Sequence, residues 1–210
     1  GRKVGVISKI GLGTYVDPRL QGGRISEITK EEMVKLIEFE GEEYLYYKPF
    51  PIDVAIIRGT TADEKGNMTM THEALNLEAM SLATAAKNNG GIVIAQVKYI
   101  AKAGTLNCRR VKVPGVLVDH IVVAQLENHL QTAATAYEPA LCGETVAPLA
   151  AIPPLPLNER KVILRRAAME MLPDSTLNLG IGMPEGVANV AVEEGALEMV
   201  TLTTEVGNFG

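Results

Sequence analysis

The sequence predicts an α/β fold built as two tandem α/β units, the second one truncated, and three observations carry that prediction. Short, nearly continuous β-branched runs alternate with helix-forming stretches in the first half of the chain, the pattern of a largely parallel sheet with crossover helices. A proline-rich interval then interrupts the alternation. Beyond it a single strand, glycine turn, helix and strand follow, and the chain ends shortly after that last strand.

Taken in order, Thr29 with Glu32 three residues on forms a capping box, and Met33, Leu36 and Ile37 behind it recur at helical spacing, so a helix is expected there. Asp53 to Ile57 reads as a strand buried on both faces. TTADEKGNMTM places Lys65, Gly66 and Asn67 between two β-leaning flanks and predicts a hairpin. Glu78 to Lys87 is rich in Ala, Leu and Met and predicts a helix that the Asn-Asn-Gly-Gly run at 88–91 stops. Ile92 to Val97 and Val116 to Ala124 are the next strands.

From 126 to 157 the prolines 139, 148, 153, 154 and 156 accumulate, which suits an interdomain linker between a first domain over 1–125 and the start of a second over 158–210. Asn158 is a helix N-cap, with Val162, Ile163, Ala167 and Met171 expected to face inward and Pro173 to close the helix. Thr176 to Leu179 is a strand, GIGMPEG a glycine turn, Pro184 to Glu194 a helix stopped by Gly195, and Met199 to Thr204 a strand. A two-stranded remnant leaves an unpaired edge, so it needs a continuation of the chain or another copy.

Of the 210 residues 47% are hydrophobic and 21% charged, which excludes wholesale disorder. Twenty basic against 25 acidic side chains give a net charge of −5, and this argues against a nucleic-acid partner. There is no long apolar stretch and no apolar signal core at the start, so the chain reads as soluble, cytoplasmic and without a membrane partner. Cys108 and Cys142 are too few for a disulfide framework and read as buried free thiols. His72, His120 and His129 show no metal-ligand spacing, and Gly11 and Gly13 open no dinucleotide fingerprint. Beginning on Gly and ending on NFG, the sequence reads as an internal piece of a longer polypeptide.

Ligands of open parallel sheets sit outside the carboxyl ends of the strands, and two features fall at such ends. In GIGMPEG, Gly180 and Gly182 permit a tight turn, and Met183 and Pro184 lead into a helix whose backbone N–H groups can face an anion or a developing oxyanion. A plain strand-to-helix turn is the alternative. Glu205 follows VTLTT and precedes a segment in which Gly207 and Gly210 allow close approach to the backbone. Its carboxylate can act as a nucleophile on a carbonyl or thioester; a solvated acid at a strand end is the other reading. Gln96 and Lys98 flank a strand end, where they face solvent or reach the cleft, solvent being the expectation, and Arg109, Arg110 and Lys112 form a basic cluster that suits phosphate groups or a solvated face.

The strings GLGTYVDPRLQGGR, RGTTADEKGNMTM, QVKYIAKAGTL, VPGVLVDHIVVA, NLGIGMPEGVANVAVEEG and TLTTEVGNFG occur in that order from end to end. Together they resemble family I coenzyme A transferases, closest to the propionate (acetate) CoA-transferase and short-chain acyl-CoA:acetate transferase group. The resemblance implies two similar α/β domains of the type shared with sugar-phosphate isomerases. It also implies a ping-pong exchange between a short-chain acyl-CoA and a carboxylate such as acetate or propionate. In that family the nucleophilic glutamate follows a Thr-rich strand and precedes a glycine segment, which places it at Glu205. Gly180, Gly182, Met183, Pro184 and Gly207 become substrate-binding candidates. No metal or redox cofactor is implied, CoA being a substrate, and a homo-oligomer is expected.

The sequence departs from the family in two places. It holds neither the N-terminal glycine motif that contributes to the oxyanion hole nor the glycine segments beyond the nucleophile that bind CoA, and it covers less than half of a full member. The piece alone is therefore expected to be inactive, while its parent is a transferase. A non-catalytic ligand-binding domain of the same fold and an acyl-CoA hydrolase are the alternatives.

Overall fold

The computed structural model describes residues 4–204 and divides into two compact units, Gly1–Glu144 and Thr145–Gly210. In the first unit a small antiparallel sheet precedes the main one. It comprises β1 (Val6–Ser8), β2 (Val34–Phe39) and β3 (Glu42–Tyr47) in the order β1-β3-β2.

Strand β2 overturns the helix expected behind the Thr29–Glu32 capping box. Thr29 spends its hydroxyl on Ser26, at 2.9 Å, and Val34, Leu36, Ile37 and Phe39 lie along an extended strand paired with β3, Phe39 opposite Glu42. The reason lies in the two residues between the strands. Glu40 and Gly41 both have positive φ, 52° and 80°, the conformation of the tight hairpin turn that matches strand twist. The apolar residues ahead of the turn are compatible with either period, and cross-strand pairing decides.

The main sheet contains β4 (Val54–Asp63), β5 (Met68–Thr69), β6 (Ile92–Ala101), β7 (Val111–Val113) and β8 (His120–Val123), ordered β7-β5-β4-β6-β8. Strand β6 runs parallel to both β4 and β8, whereas β5 is antiparallel to β4 and β7. The hairpin expected at TTADEKGNMTM is present, Thr61 opposite Thr69 and Ala62 opposite Met68. Helix α1 (Ala79–Asn88) lays Ala79, Ala83 and Ala86 on the sheet, small side chains at i, i+4 and i+7 that bring it close to Ala55, Ile57, Val93, Ala95 and Val97. The strands are not buried on both faces as expected. Burial alternates along β4, with Ala55 and Ile57 covered while Ile56 is 72% exposed on the opposite face.

The strand expected over Val116 to Ala124 shortens to β8, because 115–117 form a short 3₁₀ turn instead. That turn docks on the hairpin. Gly115 N donates to Asn67 Oδ1 at 2.9 Å, and a Cβ at Gly115 would stand 1.9 Å from the Lys65 carbonyl oxygen. Asp63, 1% exposed, anchors the hairpin by accepting from Lys65 N, Asn67 N and Gly104 N. Burial pushes its carboxyl up, but the hydrogen bonds from Asn67, Gly104 and Lys65 outweigh this and hold it below its ordinary range.

The proline-rich interval 126–157 carries only short 3₁₀ turns, at Leu126–Asn128, Pro139–Cys142 and Leu149–Ala151. Both cysteines are free but neither is buried: Cys108 opens a surface turn and Cys142 is half-buried at the end of another.

The second unit contains α2 (Glu159–Ala168), β9 (Ser175–Leu179), α3 (Glu185–Glu193) and β10 (Val200–Thr204). Asn158 caps α2 as expected, Oδ1 accepting from Lys161 N at 3.0 Å. The inward face differs from the expectation. Val162, Ile163 and Ala167 are exposed, and Leu164 is the buried residue of the helix, with Ala168 packed against the same core. Met171 does join that core, from beyond the helix, which ends at Ala168 rather than at Pro173. Two apolar stripes overlap in this sequence, and contact with α3 chooses between them. At Gly186 a Cβ would come within 2.4 Å of Leu164 Cδ1, so the helices meet where a side chain is missing. No helix among the described residues is long and apolar enough to cross a membrane.

Candidate functional site

Strands β9 and β10 are parallel and in register, Ser175 opposite Val200 through to Leu179 opposite Thr204. Their carboxyl ends are therefore level. Gly180 follows one strand and, in the sequence, Glu205 follows the other; Glu205 and Gly207 lie outside the described residues. Of the turn residues, Gly182 has a φ of 97°, a conformation that favours glycine. Met183 is exposed and Pro184 is the N-cap of α3.

The turn is tied down from α2. Arg160 donates to the Gly182 carbonyl at 2.6 Å and stands 3.8 Å from the Glu185 carboxylate. At the start of α3, Gly186 N and Val187 N already donate to the carbonyls of Met183 and Pro184, and Glu185 occupies the first turn. An acidic residue there opposes a further anion. The turn thus supplies shape beside the strand end more than a row of free amides.

The first unit holds a buried polar network that the sequence reasoning missed. Glu73, in the loop after β5, receives Arg58 Nε at 2.7 Å, His129 Nε2 at 3.2 Å and the Thr60 hydroxyl at 3.4 Å. His129 is 1% exposed. Its Nδ1 faces the Gln96 amide nitrogen at 3.2 Å, and that amide also donates to the Asn128 carbonyl; Nδ1 is then the acceptor and Nε2 carries the proton toward Glu73. Burial lowers the His129 pKa, with Arg58 and Lys98 adding to that direction and Glu73 opposing it. Arg58 also donates to the Leu130 carbonyl, and Gln131 donates to His72 O at 2.8 Å.

Gln96, expected to face solvent, is a member of this network, and Lys98 sits 5.2 Å over the Tyr137 ring. The network ties the segment after β8 to β4 and β6. Its members are spread from 58 to 131, so no local motif announces them. Among the described residues no group of three or more His, Cys, Asp or Glu side chains is placed to hold a metal ion.

Against known proteins, the family profile for coenzyme A transferases matches residues 2–124, more than half of the chain. The chain belongs to the coenzyme A transferase family. This is the family that the ordered motifs resemble. The CoA-transferase chain is 54% identical over all 210 residues to the caffeate CoA-transferase of Acetobacterium woodii, spanning 40% of that protein. It is 43% identical over 206 residues to the acetate CoA-transferase YdiF of Escherichia coli O157:H7, covering 98% of this chain and 39% of that one. The crystal structure of the same acyl-CoA transferase, as a thioester complex with CoA, superposes over 100% of this chain and 39% of that chain with a TM-score of 0.87 at 41% identity. The CoA-transferase chain thus spans about two fifths of the relatives' length.

Proposed function

We propose that the full-length protein containing this chain transfers CoA between a short-chain acyl-CoA and a carboxylic acid such as acetate or propionate, through a thioester on Glu205. One observation carries the reading: over the whole of this chain the fold and 41% of the sequence are those of an acyl-CoA transferase crystallised as a thioester with CoA. Glu205 follows β10, and the turn 180–184 follows the neighbouring β9 in register. In the proposed reaction a Glu205 carboxylate oxygen attacks the acyl carbonyl carbon, and CoA leaves as thiolate to give an acyl-glutamyl anhydride. The thiolate then attacks the glutamyl carbonyl, expelling the acyl group as its carboxylate and leaving glutamyl-CoA. An acceptor carboxylate reverses both steps.

Overall one thioester is exchanged for another with no change of oxidation state, so the exchange needs no redox cofactor, and the thioester itself supplies the activation. Positioning supplies up to about 7–11 kcal/mol of such a barrier and each oxyanion donor about 2.7–4 kcal/mol. Gly180, Gly182, Met183, Pro184 and Gly207 are assigned to the substrate side of Glu205. The reading places the interdomain linker at 126–157, with similar α/β domains on either side, and completes the two-stranded remnant with the rest of the chain in a homo-oligomer.

The test is mass spectrometry of the full-length protein after incubation with acetyl-CoA, with peptide mapping. A CoA adduct on Glu205, absent from Glu205→Gln, is expected together with loss of exchange in that variant. An unmodified Glu205 in a protein that turns over would refute the assignment. Product analysis with and without acetate separates transfer from hydrolysis. The 54% identity to a caffeate CoA-transferase favours a second reading of the acceptor, an aromatic acrylic acid; competition between acetate, propionate and caffeate decides between them.

A further inference from the structure

The first unit holds a second feature, at the edge of its main sheet. A cavity of about 680 Å³ opens at the β7 edge of the main sheet, between the loop that follows β5 and residues 141–144. Its size is that of small-molecule sites. Arg109, Arg110 and Lys112 line it, all exposed, and none of them forms an ion pair among the described residues.

The backbone explains why the cations gather there. Asn107 accepts from Arg109 N at 3.0 Å and fixes the short turn Cys108–Arg110. Strand β7 follows, and Val113 is fully buried in the core. With side chains alternating along a strand, burial of Val113 turns Lys112 outward, and Arg109 and Arg110 are the last two residues of the turn just before the strand.

Two carboxylates also line the cavity, and both are already engaged. Glu73 is paired with Arg58 at 2.7 Å and faces His129, and Glu144 accepts from the Tyr137 hydroxyl. Three cations without an ion-pair partner among the described residues therefore stand in one concave surface of a chain whose net charge is −5, and concavity focuses their field on whatever enters. Arginine's fork favours phosphate oxygens, which it meets in pairs. His72 forms part of the wall, its ring 5.1 Å from that of Tyr137.

We infer that this cavity binds a ligand carrying adjacent phosphate groups, of the kind found on a phosphorylated nucleotide. Two sources share that chemistry: the nucleotide end of CoA, in which case the inference rests on the transferase reading, and a free nucleotide or phosphate.

The test is isothermal titration of the full-length protein and of Arg109→Ala/Arg110→Ala with adenosine 3′,5′-bisphosphate, with CoA and with inorganic phosphate. Titrations in Glu205→Gln protein need no turnover, so a failed transfer assay and a failed binding assay remain separate results. The double variant should bind the bisphosphate at least about tenfold more weakly, with the loss shrinking as salt is raised. Lys35→Ala, an exposed cation elsewhere in the unit, should bind as the parent does. An equal loss for CoA identifies the nucleotide end of CoA as the source; a loss for the bisphosphate or phosphate with CoA unaffected identifies a free ligand. Unchanged binding of all three probes by the double variant, with its folding intact by circular dichroism, would overturn the inference, as would absence of binding to the parent protein.

Discussion

Helices α2 and α3 meet at Leu164 and Gly186, and the contact can be measured by a double-mutant cycle. Leu164 is 1% exposed, so Leu164→Ala removes buried methyl groups and leaves a cavity, at a cost of about 3 kcal/mol. Gly186→Ala adds a methyl 2.4 Å from Leu164 Cδ1 and 3.1 Å from Cδ2. The clash costs about 2 kcal/mol, and the better helix propensity of alanine returns about 1 kcal/mol, for a net loss of about 1 kcal/mol.

In the double variant both atoms that clash are gone, the alanine methyl fills part of the cavity for about 0.8 kcal/mol, and the propensity gain remains. The expected cost is then about 1 kcal/mol, against about 4 kcal/mol for the sum of the single changes, a coupling of about 3 kcal/mol at the upper end for residues in contact. Hydrogen exchange of α2 and α3 peptides in the full-length protein reads these numbers locally. Exchange should accelerate by roughly two orders of magnitude in Leu164→Ala, and the double variant should recover most of it. Additive effects would show that the helices do not meet at this pair.

Gly115→Ala would push a methyl into the Lys65 carbonyl at 1.9 Å and break the bond to Asn67. A loss of about 3 kcal/mol is expected at the hairpin, seen as faster exchange of 61–69, and unaltered protection would refute the docking. Asp63 has a folded pKa below its ordinary 3.8, so its contribution is present above that value and is lost as pH falls through the folded pKa. The hairpin should loosen below about pH 4 and Asp63→Asn should flatten that dependence in acid titrations followed by exchange. His129 is lowered from 6.5 by burial, so the unfolded segment binds the proton more readily. Protection of residues 126–138 should decline as pH drops below about 6.5, and a flat profile for His129→Gln alongside a sloped parent profile is the expected outcome.

Elements whose local signals agree were legible from the residues. The hairpin at 61–69, helix α1, the Asn158 cap and the strand, turn, helix and strand of the second unit all carry turn chemistry and period pointing the same way. Strand β2 was not, because Thr29 and Glu32 imitate a helix start while the deciding feature, positive φ at Glu40 as well as Gly41, has no distinctive residue at its first position. The inward face of α2 depends on a glycine on another helix. The Glu73 network forms only when β4, β6 and the segment after β8 converge, so its members look like ordinary polar residues until they are placed. Gly180 to Pro184 stand at the end of β9, where the sequence put them, and Glu205 lies beyond the described residues.

The clasp formed by Asp63, Asn67 and Gly115 reaches further than the hairpin. It grips the chain at Gly104 on one side of the turn 108–110 and at Gly115 on the other, so the stretch bearing Arg109, Arg110 and Lys112 is a strap fastened at both ends. A fastened strap loses little conformational entropy when an anion arrives. Losing the Asn67 side chain would then leave all three cations in the sequence and still lengthen the search each must make for a phosphate oxygen.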